Sequence, residues 1–403
     1  MPCLLVTKLK MRLSPNPPIR FRAPRFWHVG TALAALFGGL ALYFARSRPP
    51  GATTQTVNQA APANLARWPW PHAQEDHPHP GVTHWFATSP DGTTLDLLRF
   101  DFAVNPRLRF ELYDRDEYDQ KPFDNVVNYQ AGSLGAATRH LNARLGAAGK
   151  GRVVAAWNGL FFGYSHKTHQ ATAFHVAPVV LNRKVFYPRI NHRWTFGVQY
   201  VNGKPVFKAL YMPDAGTLGQ ALDFGGGAAQ CLIKDGQPLK LQPRPLPGSP
   251  SIKRTMPSTS QEAGYIPQFD HMKMTRASLG WSRDNQQLYL LFVKEPSSET
   301  QSGYSLRWGL PDGDGWSVAD VQRFWLALVK VGWVWNAINS DAGGVGQLTY
   351  LQPDGKYLFL PPGATTQRLV CAPDFENAPL AKAGGAIMYF YVRDGKTAVS
   401  RRK

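Results

Sequence analysis

The sequence predicts an α+β protein: a single sheet-rich domain in which a few helices pack on mixed or antiparallel sheets, preceded by one N-terminal transmembrane helix. Three observations carry that prediction. From residue 83 onward, segments dense in β-formers alternate with tight-turn residues; only two stretches there show a helical period; and one uncharged run of twenty residues lies near the N-terminus. Composition agrees. The 403 residues are 43% hydrophobic and 18% charged, enough to bury a large core, and 37 Gly with 33 Pro suit a turn-rich β body.

Residues 1–25 form a basic arm and residues 26–45 an apolar segment, FWHVGTALAALFGGLALYFA, long enough as a helix to span roughly 30 Å of hydrocarbon. Six positive charges precede it and few follow. The expected topology is single-pass in the inner (plasma) membrane, with the N-terminus in the cytoplasm and the globular domain extracytoplasmic. A cleaved signal peptide is the competing reading, although Phe44-Ala45-Arg46-Ser47 is a poor small-residue cleavage site. Residues 46–82, rich in Pro, Ala and Thr, are expected to be a linker, and the histidines at 72, 77, 79 and 84 to be solvated with it. Residues 83–403 are the expected domain.

Strands are expected over 94–102 and 107–113, a weak helix over 133–147, and an apolar strand over 152–157. Asn202-Gly203 between two apolar runs marks a hairpin. Residues 276–294 and 347–360 read as further hairpins, and 386–392 as a closing strand. Ser317 and Asp320 form a capping box ahead of the stripe Val321, Phe324, Trp325, Leu328 and Val329, and the strand 333–339 follows. Cys231 and Cys371 are compatible with one disulfide or with two separate buried thiols.

The formal net charge of +18 suggests a polyanion until its position is considered. Nine basic residues precede the first acidic one, Glu75, and residues 75–403 carry 36 basic against 27 acidic side chains. No aromatic-basic motif or helix-turn-helix pattern accompanies them, so a nucleic-acid partner is not expected.

Two expected strands end in Gly turns that hold a polar residue: Asn158-Gly159 after RVVAAW, and Asp341 within NSDAGGVGQ after WVWNAIN. Gly343, Gly344 and Gly346 suit close approach of backbone to an anion, and a sharp turn explains the same letters. In order along the chain, Asn158-Gly159-Leu160-Phe161-Phe162, then Gly225-Gly226-Gly227 with Asp235-Gly236, then Thr275-Arg276-Ala277-Ser278-Leu279-Gly280, then Asn339-Ser340-Asp341-Ala342-Gly343-Gly344-Val345 resemble the signatures of the phosphodiester glycosidase family. The resemblance spans about residues 84–395. Leu160, Met274, Ala342 and Val345 depart from the family's Gly, Pro, Gly and hydroxyl residues.

The resemblance implies a hydrolase that cleaves a sugar-1-phosphodiester in a cell-envelope glycan. Under it, Asp341 is the expected nucleophile or base, Arg276 the phosphate ligand and Asn158 a third catalytic contact, with Gly159, Asn339, Gly343 and Gly344 lining the substrate. His166, His169 and His175 in SHKTHQATAFH are spaced loosely enough to be loop histidines; the alternative is that one of them, with His175 as the candidate substrate contact, donates to phosphate. No metal ligand set is assigned and no cofactor is required, although a divalent metal is compatible. Asp101, Glu111 and Glu295 are further carboxylates. The alternative is a non-catalytic envelope protein that binds a glycan or polyanion on the same fold, involved in exopolysaccharide biosynthesis.

Overall fold

A computed structural model describes residues 73–395, except 129–132, 166–171, 189–193, 242–272, 297–314, 342 and 376–384. In chain order the first strands are β1 (Gln74–His79), β2 (Val82–Thr88), β3 (Thr94–Asp101), β4 (Leu108–Asp114) and β5 (Val127–Asn128). Helix α1 (Leu134–Ala147) leads into β6 (Arg152–Asn158), β7 (Phe162–Ser165), β8 (Thr172–His175), β9 (Val179–Leu181) and β10 (Lys184–Phe186). Strands β11 (Trp194–Val201) and β12 (Lys204–Tyr211) precede α2 (Ala215–Ala221), β13 (Phe224–Lys234) and β14 (Gln237–Pro238). After β15 (Arg276–Trp281) and β16 (Gln287–Lys294) come α3 (Val318–Lys330) and β17 (Asn336–Asn339). The last strands are β18 (Leu348–Leu351), β19 (Tyr357–Leu360), β20 (Leu369–Cys371) and β21 (Met388–Asp394).

Local chemistry explains the elements that the sequence marks most sharply. Asn202 and Gly203 both adopt positive φ, 51° and 76°, the two-residue turn that brings Val201 opposite Lys204. The Ser317 hydroxyl accepts from the Asp320 N–H while the Asp320 carboxylate accepts from the Ser317 N–H, so the capping box starts α3. Ser133 caps α1 in the same way, accepting from the Ala136 N–H.

The long sheet runs β1-β2-β3-β16-β15-β17-β13-β11-β12, and a six-stranded sheet runs β20-β19-β18-β6-β21-β4. Strand β16 shows how they stack. Leu288, Leu290 and Phe292 enter the core shared with Trp157, Leu348 and Phe390 of the six-stranded sheet, whereas Tyr289, Leu291 and Val293 pack with Val321, Phe324 and Trp325 of α3. Helix α1 covers the other outer face, through Leu134, Leu141 and Leu145 against Val153, Ala156 and Tyr389. A strand buried on both faces carries a continuous apolar run. Each such Leu or Phe contributes about 1.5–3 kcal/mol by leaving water.

The expected class, α+β with mixed or antiparallel sheets behind one transmembrane helix, is corrected to a mostly antiparallel sheet protein. Every pairing in the two large sheets is antiparallel, and three α-helices are present among the described residues. A helix followed by an apolar strand suggests a parallel crossover, but β6 after α1 lies antiparallel to β18 and β21, and β17 after α3 lies antiparallel to β13 and β15. Strand direction depends on the partner, which local pattern does not encode. The transmembrane element of that expectation has no counterpart: among the described residues no helix is long and apolar enough to cross a membrane, and residues 26–45 lie outside them.

The solvated linker is also corrected at its end. Residues 74–79 form β1; His79 Nε2 lies 2.7 Å from Asp394, and His84 is buried. Cys231 and Cys371 are free and buried, on different sheets.

Candidate functional site

Register brings the principal candidates together. Strand β15 pairs with β17 through Ser278 and Asn339, and the Ser340 N–H then donates to the Ala277 carbonyl at 2.9 Å. Beyond that pair β17 ends, and Asp341 lies two residues past it, at the same end of the two strands as Arg276, the first residue of β15. Arg276 lies on the α3 side of β15, because the alternating Ala277 and Leu279 point into the core between the sheets, whereas the Ser278 hydroxyl accepts from Trp325 Nε1 of α3 at 2.7 Å. Arg276 is buried and its Nε donates to the Trp316 carbonyl at 3.0 Å.

Glu295 extends the arrangement. Arg276 pairs with Val293 on β16, and Glu295 follows directly on the end of that strand. It is 2% exposed. Two buried carboxyl-bearing residues thus follow the ends of the two strands that border β15. Sequence reading ranked Glu295 with Asp101 and Glu111 as further carboxylates, and the structure separates them. Glu111 is bound by Arg393 and Tyr391, and Asp101 accepts from the backbone of Ala103 and Val104.

The glycine loop joins this face to the second sheet. The Asp341 N–H donates to the Gly159 carbonyl at 2.9 Å, and the Gly159 N–H donates to Met388 at the same distance. Asn158 closes the seam: its amide donates to the Val345 carbonyl at 3.0 Å and accepts from the Gln347 N–H at 2.8 Å. Both ends of the Asn158 side chain are thus committed to the loop, making it a clamp. Gly343, at φ 67°, donates its N–H to Thr275, and Gly344 accepts from Gly363. Gly344 is exposed, whereas Asn339 is buried with its amide 3.5 Å from Gln230 Oε1. Ala342 lies outside the described residues. Burial pushes the Tyr389 phenol above its ordinary range, and the nearby Asp341 charge adds to the rise.

His175 is not at this face. It ends β8, and its Nε2 lies 3.0 Å from Asp114 with both side chains buried. Its ring stacks on Tyr187, whose hydroxyl donates to Asp116, and burial raises the Asp116 pKa. His175 thus forms a buried histidine–carboxylate pair, and His166 and His169 lie outside the described residues. No three His, Cys, Asp or Glu among the described residues are placed to hold a metal ion.

A second buried network escaped sequence reading. Arg368 grips Asp96 through two bonds of 2.9 and 2.8 Å, and His84 Nε2 lies 2.8 Å from the same carboxylate. Tyr350 accepts from Arg368 at 3.0 Å, and His84 Nδ1 lies 3.3 Å from Asp76. Burial opposes charge on His84, but the hydrogen bonds to Asp76 and Asp96 prevail and raise its pKa. Burial likewise opposes the Asp96 carboxylate, yet His84 and Arg368 hold its pKa below the usual range. The network joins β2 and β3 of one sheet to β18 of the other.

Comparison with known proteins yields a distant likeness of fold. No family model and no curated protein matches the chain. Among solved structures, the catalytic domain of zebrafish N-acetylglucosamine-1-phosphodiester alpha-N-acetylglucosaminidase, auto-inhibited by its pro-peptide, aligns over 81% of this chain and 88% of its own, at 15% identity and a TM-score of 0.39. A putative exported protein of Burkholderia pseudomallei aligns over 77% of this chain and 74% of its own, at 11% identity and a TM-score of 0.38. A hypothetical protein of Synechocystis aligns over 77% and 62%, at 13% identity and a TM-score of 0.34. At these scores the likeness assigns no residue a role.

Proposed function

We propose that the chain is a hydrolase of sugar-1-phosphodiesters, with Arg276 and Asp341 as its working pair. The observation that supports this reading is that β15 starts at the buried Arg276 while its neighbour β17 ends two residues before the buried Asp341, at the same end of the pair and beside a glycine loop. A guanidinium offers a planar fork of donors to two phosphate oxygens. Asp341 acts at the anomeric carbon as nucleophile or base for water. The bond from anomeric carbon to phosphate oxygen breaks, the phosphomonoester leaves with the bonding pair, and the oxygen of water ends on the sugar. A phosphate leaving group is a weak base, so protonation by a second carboxylic acid is not essential.

A second reading, glycan or polyanion binding without turnover, is favoured by one observation. The Asn158 amide and the Gly343 N–H are spent inside the protein, which leaves fewer donors for a transition state. The test is release of free sugar from the methyl diester of N-acetylglucosamine 1-phosphate by the full chain. Asp341→Asn should lower kcat by about a thousandfold or more with folding unchanged, since a group acting in the transition state is lost. Equal turnover by the variant would refute the assignment. Saturable binding by the wild type without turnover would select the second reading.

A further inference from the structure

Lys294 ends β16 and is wholly buried. In phase with Leu290 and Phe292, it faces the space between the sheets, on the side of β16 opposite to Glu295. Its ammonium lies 2.6 Å from the Gly363 carbonyl, 2.8 Å from that of Pro361 and 3.5 Å from that of Gly346. Three backbone oxygens from two separate segments thus surround one cation. The same segments are joined by the Gly363 N–H, which donates to Gly344. We propose that Lys294 is a positioning residue: a cation in a carbonyl cage that fixes the glycine loop carrying Asp341 against residues 361–363.

The surroundings make this lock sensitive to the proton on Lys294. Thr94 stands opposite it on β3, and continuing the β15–β16 register places Thr275 opposite it on the other side. Asp96, the next residue of β3 facing inward, is already held by Arg368 and His84. Residues 361–363 are Pro-Pro-Gly and bring no charge, the loop bears only Asp341 upstream, and Glu295 is the one charge on Lys294's own strand that favours the ammonium. Burial pushes the Lys294 pKa down to about 7. The carbonyl dipoles act the other way and favour the ammonium. The ammonium donates three hydrogen bonds and the neutral amine two.

The inference rests on the loop that the proposed function uses, but it is tested without substrate, so the two can fail separately. Hydrogen exchange of the full chain is followed at the amides of Gly343, Gly346 and Gly363, with Leu348–Leu351 of β18 as reference. In Lys294→Met, a folded variant of similar length, the three loop amides should exchange about tenfold faster or more while β18 is unchanged. Equal loop protection, or a uniform loss across both groups, would overturn the proposal, because a general packing role would move them together. If the variant does not fold, wild type decides between pH 7 and pH 9 after correction for intrinsic exchange. Loop protection should fall relative to β18 as pH rises, and a constant ratio would overturn the proposal.

Discussion

The β15–β17 ladder, which brings Arg276 and Asp341 to one end of the strand pair, is anchored from outside by one hydroxyl, and its removal is a sharp test. Ser278 Oγ accepts from Trp325 Nε1 at 2.7 Å and donates to the Ile338 carbonyl at 2.6 Å, in a fully buried site. Ser278→Ala leaves the indole N–H buried without an acceptor, which costs about 1–3 kcal/mol, and removes a bond to the carbonyl worth about 0.5–1.5 kcal/mol. The expected total is roughly 2–4 kcal/mol. For a body of about 330 residues, unfolding entropy near 2.1 cal/mol/K per residue converts that to a fall in Tm of about 3–6 °C. Calorimetry of the single variant, of Trp325→Phe and of the double variant separates the bond from packing. The double variant should be less destabilised than the two singles together by about 1–2 kcal/mol. A coupling below about 0.5 kcal/mol would show that the hydroxyl does not hold α3 to the ladder.

Two further outcomes follow from the site and its neighbour. Gly159→Ala places a Cβ 2.8 Å from the Met388 carbonyl oxygen, a backbone atom that cannot swing aside, so stability should fall by about 1–3 kcal/mol and turnover with it; wild-type stability by urea titration would contradict the contact. His84→Gln removes a histidine whose folded pKa is raised, so its stabilisation is fully present below the unfolded value of 6.5 and is lost as pH rises through the folded value. The stability gap between wild type and variant should therefore widen from pH 8 to pH 6, and a gap independent of pH would refute the charged pairing.

What the sequence disclosed and concealed divides by distance along the chain. The Asn202-Gly203 turn, the Ser317 capping box and the start of α1 at Ser133 are governed by neighbours within a few residues, and each is found where local chemistry puts it. Arg276 and Asp341 stood out because each lies at a strand end beside Gly. Their juxtaposition needed a register between strands some sixty residues apart. Lys294 looked like the polar end of an apolar run; only the carbonyls of 346, 361 and 363 make it a buried cation. His84 fell among linker histidines because its partners include Asp96 and, 266 residues away, Tyr350. His175 was placed among ligands for want of Asp114, 61 residues upstream.

The hydrogen bond from Asp341 to Gly159, with the Ser340 hydroxyl 3.4 Å from the Asn158 carbonyl across 182 residues of chain, ties the long sheet to the six-stranded one at the candidate site. Each sheet combines hairpins that form locally with pairings between distant strands, and this seam closes only once the sheets have docked. A molecule with both sheets formed and not yet packed would hold Arg276 near Asp341 but lack the backbone that aims the carboxylate. Recovery of function on refolding should accordingly lag behind recovery of strand content. The site thus reports on the completeness of folding.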